Sequence, residues 1–132
     1  MRRSVAEVGS LDPDTAWERY AALAAWPSWA PPIMGTTATS PRLAAGVTGQ
    51  VHGPLGVRIP FEVLAVDEAA RSWSWRVTVG PVRPVTAVLH HAVLPGPDLH
   101  GSVATLIVDG PAPIALLYPD LARVALHRLV SP

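Results

Sequence analysis

The sequence predicts an α+β fold in which a curved antiparallel sheet of about six or seven strands wraps around one long C-terminal helix, with short helices after the first strand. Between Leu43 and Asp109, apolar and polar residues alternate in successive runs, separated by short turns rich in proline and glycine. From Pro113 to Val130, apolar residues instead recur at steps of three and four, which is the spacing of one helix face. A single amphipathic helix that follows several strands must bury its apolar face on their sheet.

Composition limits the classes of protein to which the chain can belong. The 132 residues are 49% hydrophobic and 15% charged, which excludes disorder and suits one domain over residues 1–132. Ten basic residues balance ten acidic ones, so charge gives no case for nucleic acid or an anionic membrane. Without cysteine there are no disulfides, thiolate nucleophiles or cysteine-ligated metals. No signal peptide or membrane span is visible, so we expect a cytoplasmic protein.

A short strand at Ser4–Gly9 and a helix are predicted to open the chain. Asp12 can cap the helix, and Pro13 suits its first position, where a missing N–H costs nothing. Pro27 disfavours helical geometry at the residue before it, which should end the helix near Ala25. The helix then has one apolar face, formed by Trp17, Tyr20, Ala21 and Ala24.

The next segment, Trp26–Pro32, is interpreted as a rigid turn that carries two tryptophans. Trp29 can pack against the first helix or lie at the mouth of a pocket, and both readings stay open. Ile33 and Met34 follow the double proline and are placed at the same mouth.

Six strands are predicted between the turn and the final helix. The first is a polar edge strand, the second bends at Gly46 and Gly49, and the third has one strongly apolar face. That face is formed by Val57, Ile59, Phe61, Val63 and Ala65. The connections of about three to five residues indicate antiparallel neighbours. The predicted strands lie in residues 33–40, 43–52, 57–66, 72–79, 85–94 and 99–108.

The final helix contains a proline. Pro119 removes one backbone hydrogen bond and crowds the preceding turn, which predicts a kink or break near Leu117–Tyr118, or a helix that begins only at Pro119. The face that we expect to be buried is Ile114, Leu117, Tyr118, Leu121, Val124, Ala125 and Leu129.

Short motifs follow one another in an order that resembles the START-like superfamily, in particular its bacterial branch, often called SRPBCC or polyketide cyclase/dehydrase-like. They are D-P-D-x-x-W at Asp12–Trp17, W-P-S-W at Trp26–Trp29, the turn Glu62–Glu68, W-S-W-R-V at Trp73–Val77, and Gly101–Gly110 before the closing helix. The resemblance implies a helix-grip fold with a hydrophobic cavity between the sheet and the final helix. It does not imply one activity, because members include lipid and sterol carriers, aromatic polyketide cyclases and hormone receptors.

Adjacent histidines are the first candidate site. His90 and His91 must face opposite sides of their strand. The residues on the same strand face as His91 are apolar, which favours an inward position for His91. The residues on the face of His90 are also largely apolar, so the assignment stays open. An inward histidine in an apolar cavity ionises less readily and could act as a base near neutral pH. The plainer interpretation is a hydrogen-bonded polar residue within an apolar strand. No spacing suited to zinc is present, so no metal is expected.

Aromatic residues are the second candidate site. Trp73 and Trp75 share one strand face, where they floor a pocket for a flat ligand or fill the core. Tyr118 lies beside Pro119. It either presents its hydroxyl to the cavity as a proton donor or is an ordinary tyrosine of the core. The remaining expected ligand contacts are Trp29, Met34, Phe61, Leu89, Leu117 and Leu121.

Three functional hypotheses follow. The first is binding of a small hydrophobic or aromatic ligand between the sheet and the C-terminal helix, with no cofactor. The alternative is a polyketide cyclase/dehydratase-type enzyme in which His91 and Tyr118 supply acid–base catalysis in the same cavity. The third is an interaction module whose cavity is filled by its own side chains. A monomer and a homodimer both remain open.

Overall fold

The computed structural model describes residues 1–31, 33–80 and 82–132; Pro32 and Pro81, which the sequence analysis assigns to turns, lie outside the described residues. Seven antiparallel strands form one sheet in the order β1-β7-β6-β5-β4-β3-β2. The α+β fold class is therefore confirmed, and β2 is the expected polar edge strand. The strands are β1 (Arg2–Gly9), β2 (Gly35–Ala38), β3 (Thr48–His52), β4 (Arg58–Asp67), β5 (Ser72–Val79), β6 (Val85–Pro95) and β7 (Ser102–Asp109).

Short helices follow β1, as predicted, but the first of them ends before the predicted boundary near Ala25. Asp12 caps α1 (Pro13–Ala21) by accepting from the Thr15 backbone N–H, as expected. The helix ends at Ala21, because Ala22 is extended and forms a bridge with Arg42. A 3₁₀ turn and then α2 (Trp26–Trp29) follow.

The segment predicted as a rigid turn is thus helical in its first half. Pro27 occupies the first turn of α2, where a proline is accommodated, so it begins a helix instead of ending one. Ala24, which was placed on the buried face of the first helix, is exposed.

The C-terminal helix α3 (Ala112–Leu129) runs through Pro119 without a break. The predicted break, and the alternative in which the helix begins only at Pro119, are therefore wrong. The proline ring is buried on the sheet side. Arg3 donates a 2.7 Å hydrogen bond to the Leu116 carbonyl, in the turn that the proline ring crowds. A side chain from β1 thus supports the backbone where the proline weakens it. Of the helices formed by the described residues, none has the length and apolar character needed to cross a membrane.

The buried face of α3 is rotated from the predicted one. Leu117, Leu121 and Val124 were expected to be buried, yet 66%, 74% and 57% of each is exposed. The helix packs on β1 and β7, and small residues at this contact let its backbone approach the sheet. The buried residues are Ala115, Pro119, Ala122, Leu126 and Leu129.

A β-bulge changes the phase of β4. Phe61 and Val63 are buried as predicted, but the pairing with β5 shifts between Val63 and Ala65. Ala65 is consequently exposed, and Val66 packs against the core in its place. Strands β5 and β6 keep the predicted alternation of buried and outward residues. The buried residues are Trp73, Trp75 and Val77 on β5, and Ala87, Leu89, His91 and Val93 on β6.

Candidate functional site

A cavity of about 350 Å³ lies between the middle strands of the sheet and α3. It forms because α3 packs over β1 and β7, at one side of the sheet, and leaves the concave face of β3 to β5 uncovered. Among the described residues, the largest contributions come from α3 and β5, and α2 and the loop between β3 and β4 add to the lining. The lining residues are Trp26, Trp29, Ala30, Pro31, Ile33, Val51, Gly53, Pro54, Val57, Ile59, Trp73, Trp75, Val77, Val79, Leu89, His91, Ile114, Tyr118, Leu121, Ala122, Ala125 and Leu126.

The cavity lining is apolar and uncharged. None of the lining residues within the described ranges is Asp, Glu, Arg or Lys. Half of Val57 and 74% of Leu121 are exposed, so these residues mark the mouth between the β3–β4 loop and α3. A charged group that entered this cavity would lose its hydration without gaining a counter-ion.

Tryptophan rings form the inner wall. Trp73 and Trp75 have ring centroids 5.0 Å apart, and Trp26 from α2 meets Trp75 at 5.3 Å. The Trp73 ring is stacked on His91, at 4.7 Å with an interplanar angle of 12°. Phe61 packs behind this wall, 5.4 Å from Trp75, and does not line the cavity. The wall is rigid because each of its rings is held by others.

His91 faces inward and is buried, and both of its ring nitrogens have partners. The Trp75 indole N–H donates to Nε2 at 3.1 Å, and the Tyr20 hydroxyl lies 3.1 Å from Nδ1. An indole N–H can only donate, so Nε2 must be the unprotonated nitrogen of the imidazole. Nδ1 then carries the proton and donates it to the Tyr20 oxygen. This pattern requires the neutral ring, because an imidazolium has no lone pair to accept from Trp75.

The electrostatic surroundings of His91 agree with its hydrogen bonds. Burial, with a smaller effect of neighbouring His90, lowers the pKa of His91 to about 3. Burial also raises the pKa of the Tyr20 hydroxyl, with Tyr118 adding to the effect. The ring therefore stays neutral at physiological pH and serves to hold Trp75 and Tyr20 in place.

Tyr118 lines the cavity at its mouth. The residue is 38% exposed, yet burial raises the pKa of its hydroxyl. The phenol ring therefore lies at the rim, between solvent and the cavity.

The structure brings most of the candidate residues together. Trp29, Trp73, Trp75, Leu89, His91, Tyr118 and Leu121 all line the cavity. Met34 is 70% exposed and lines a separate depression beside β2, because the chain turns outward into the edge strand. Leu117 is exposed on α3, since the helix is rotated from its predicted phase. Among the described residues, no group of three His, Asp or Glu side chains is placed to share a metal ion.

The sequence pattern did not identify two residues that are important in the site. Trp26 was assigned to a turn, but its ring forms part of the inner wall. Tyr20 was recognised only as part of an apolar helix face, although it is fully buried and hydrogen-bonded to His91. The sequence did contain a signal for this contact. A buried tyrosine and a buried histidine each need a polar partner, so the two could have been expected to pair.

These features define a helix-grip protein with an apolar cavity between sheet and C-terminal helix. The chain belongs to the family described as polyketide cyclase/dehydrase and lipid transport, whose model matches residues 3–129, and so to the START-like superfamily.

Solved structures show the same fold at low sequence identity. Ara h 8.0201 is 10% identical with a TM-score of 0.75, and the match covers 98% of this chain and 94% of that one. A protein from Mesorhizobium loti is 17% identical with a TM-score of 0.77, covering 98% and 93%. A protein from Nitrosospira multiformis is 15% identical with a TM-score of 0.80, covering 98% and 94%. No curated protein sequence matches the chain.

Proposed function

We propose that the protein binds one small hydrophobic or aromatic molecule in the cavity beneath α3, without covalent chemistry. The observation that carries this proposal is the cavity itself, about 350 Å³ in volume and lined by apolar side chains. Ligand sites in proteins have this size and character, with few polar groups. The family description, which includes lipid transport, supports the same function.

The arrangement around His91 favours binding over acid–base catalysis. A general base needs a free lone pair within reach of the substrate, but the lone pair on Nε2 accepts from Trp75. With its pKa lowered to about 3, the ring also binds a proton weakly. Tyr118 could still donate a proton, but no second described group in the cavity is free to return it. These observations support a binding protein in preference to a cyclase or dehydratase.

A fluorescent apolar probe tests the proposal. N-phenyl-1-naphthylamine is uncharged, and its emission rises when it leaves water, so titration with the purified protein gives Kd directly. Ala125 lines the cavity, and Ala125→Trp would fill much of the space. We expect this variant to bind the probe at least tenfold more weakly than the wild type.

Val124→Trp is the matched control, because Val124 is the adjacent residue on α3, is 57% exposed and does not line the cavity. It should bind the probe like the wild type. Thermal unfolding checks that both variants are folded. If the wild type fails to bind the probe, or if both variants bind it equally well, the proposed function is refuted.

A further inference from the structure

The lining of the cavity restricts the chemistry of its ligand beyond apolar character. Among the described lining residues, six side chains carry polar atoms: Trp26, Trp29, Trp73, Trp75, His91 and Tyr118. A ligand can form a hydrogen bond only with an atom that is both accessible and not already committed. The partners of each polar atom therefore decide what the ligand must offer.

Four of the six groups are bonded within the protein. The Trp26 indole N–H donates to the Tyr20 carbonyl at 2.8 Å, and the Trp29 indole N–H donates to the Arg19 carbonyl at 2.9 Å. Trp75 and His91 bond to each other, and the second nitrogen of His91 meets Tyr20. These groups contribute only their ring faces and edges to the cavity.

The fifth group is sealed from the cavity. The Trp73 indole nitrogen has no partner among the described residues, but it is buried so deeply that water cannot reach it. Its ring is covered by His91 on one face and lies edge-on to Tyr20 at 5.6 Å. A ligand that fills the cavity touches the Trp73 ring without reaching this N–H.

The Tyr118 hydroxyl is the sixth group. Tyr118 lines the cavity at its rim, and its hydroxyl forms no hydrogen bond with another described residue. Burial raises the pKa of this hydroxyl, so it stays protonated and can donate. No charged side chain accompanies it among the described lining residues. No carboxylate lies in the described lining either, so a cation that entered the cavity would lose its hydration without gaining an ion pair.

We infer that the ligand is an uncharged, mostly apolar molecule with one hydrogen-bond acceptor, such as a ketone oxygen, which accepts a hydrogen bond from the Tyr118 hydroxyl. Carboxylates and ammonium compounds of the same shape are excluded, because each would be buried without a counter-ion. This inference rests on the proposed function and gives it a ligand class. It also assigns Tyr118 a role in specificity, in place of proton transfer.

A matched set of two-ring compounds tests the inference by displacement of N-phenyl-1-naphthylamine at pH 7.5. The set is 2-acetylnaphthalene, its hydrocarbon analogue 2-isopropenylnaphthalene, the anion 2-naphthoate and the cation 2-(aminomethyl)naphthalene. We expect the ketone to bind at least tenfold more tightly than either ion. We expect Tyr118→Phe, which removes only the hydroxyl, to weaken ketone binding about three- to tenfold. Binding of the hydrocarbon should be unchanged by this substitution.

A second variant tests the charge argument in the opposite direction. Leu121→Arg places a cation at the mouth, on a side chain that is 74% exposed and therefore tolerant of change. We expect it to improve naphthoate binding several-fold. Leu116→Arg, on the other side of α3 and outside the lining, should not do so.

The outcomes separate this inference from the proposed function. If the wild type binds the probe but holds either ion as tightly as the ketone, the inference is wrong and the proposed function stands. The inference is also wrong, and the proposed function stands, if Tyr118→Phe weakens the binding of ketone and hydrocarbon equally or weakens neither. The same conclusion follows if the probe binds but no compound of the set displaces it. Failure of the wild type to bind the probe refutes both.

Discussion

Mild acid will destabilise this protein through His91. The imidazole is buried with a pKa lowered to about 3, whereas a histidine in the unfolded chain titrates near its ordinary pKa of 6.5. Between these two values the unfolded chain binds a proton at this site and the folded protein does not. The free energy of unfolding therefore falls as the pH falls below 6.5, and it is independent of His91 well above 6.5.

The size of the effect follows from the same two values. Each pH unit well below 6.5 costs about 1.4 kcal/mol, so acidification from about pH 7.5 to about pH 5 removes about 2 kcal/mol. This is a large part of the 5–15 kcal/mol by which domains are typically stable. The lower limit of about pH 5 keeps the experiment above the range in which most carboxylates titrate.

Urea unfolding followed by tryptophan fluorescence measures this prediction at several pH values and constant ionic strength. His91→Gln cannot take up a proton, so the difference in free energy between wild type and variant should shrink by about 2 kcal/mol between about pH 7.5 and about pH 5. Other histidines cancel in this difference. His90→Gln, the neighbour on the opposite face of β6, should keep most of the wild-type pH dependence. A wild-type-to-His91→Gln difference that stays constant over this range would refute the assignment of His91 as a buried neutral ring.

Four other substitutions test the fold by chemical denaturation. Asp12→Ala removes the cap on the Thr15 N–H and should cost about 1 kcal/mol, with an unchanged circular dichroism spectrum. Gly9→Ala drives a methyl group into the Val130 backbone carbonyl and should abolish stable folding, judged by the loss of a cooperative transition. Leu117→Gln should change stability by less than about 0.5 kcal/mol, because the residue is 66% exposed, whereas Leu126→Ala should cost about 2–5 kcal/mol. An equal cost for these two would contradict the observed phase of α3.

Alternation along the strands was sufficient to predict the inner face of β5, and in β6 it favoured His91 as the inward histidine but left the choice between His90 and His91 open. Trp73, Trp75 and His91 lie where a simple period of two places them. The prediction fails in β4 after Val63, where one extra residue enters the strand and Ala65 becomes exposed. A bulge depends on pairing with the neighbouring strand, and nothing in the apolar pattern of β4 marks its position.

The phase of α3 could not be predicted from hydrophobicity alone. The most apolar stripe contains Leu117 and Leu121, and the sequence analysis placed it on the sheet. The helix instead buries Ala115, Ala122 and Leu126, since small residues permit a close backbone approach to β1 and β7. Part of the large apolar stripe is left to border the cavity. The residues that define the site were therefore visible in the sequence, but their assignment to core, cavity or solvent depended on steric fit between distant segments.

The pairing of the first strand with the last has a consequence for how the protein acquires its structure. Arg2 pairs with Asp109, and Arg19 of α1 donates to the carbonyls of Arg128 and Ser131 beyond the end of the sheet. A ribosome that has released only the first hundred residues has therefore not yet supplied the strand that β1 needs or the helix that covers it. Contacts between residues so far apart along the chain favour slow folding. The cavity consequently forms only after α3 has left the ribosome, so a ligand cannot template the cavity on a nascent chain that lacks this helix.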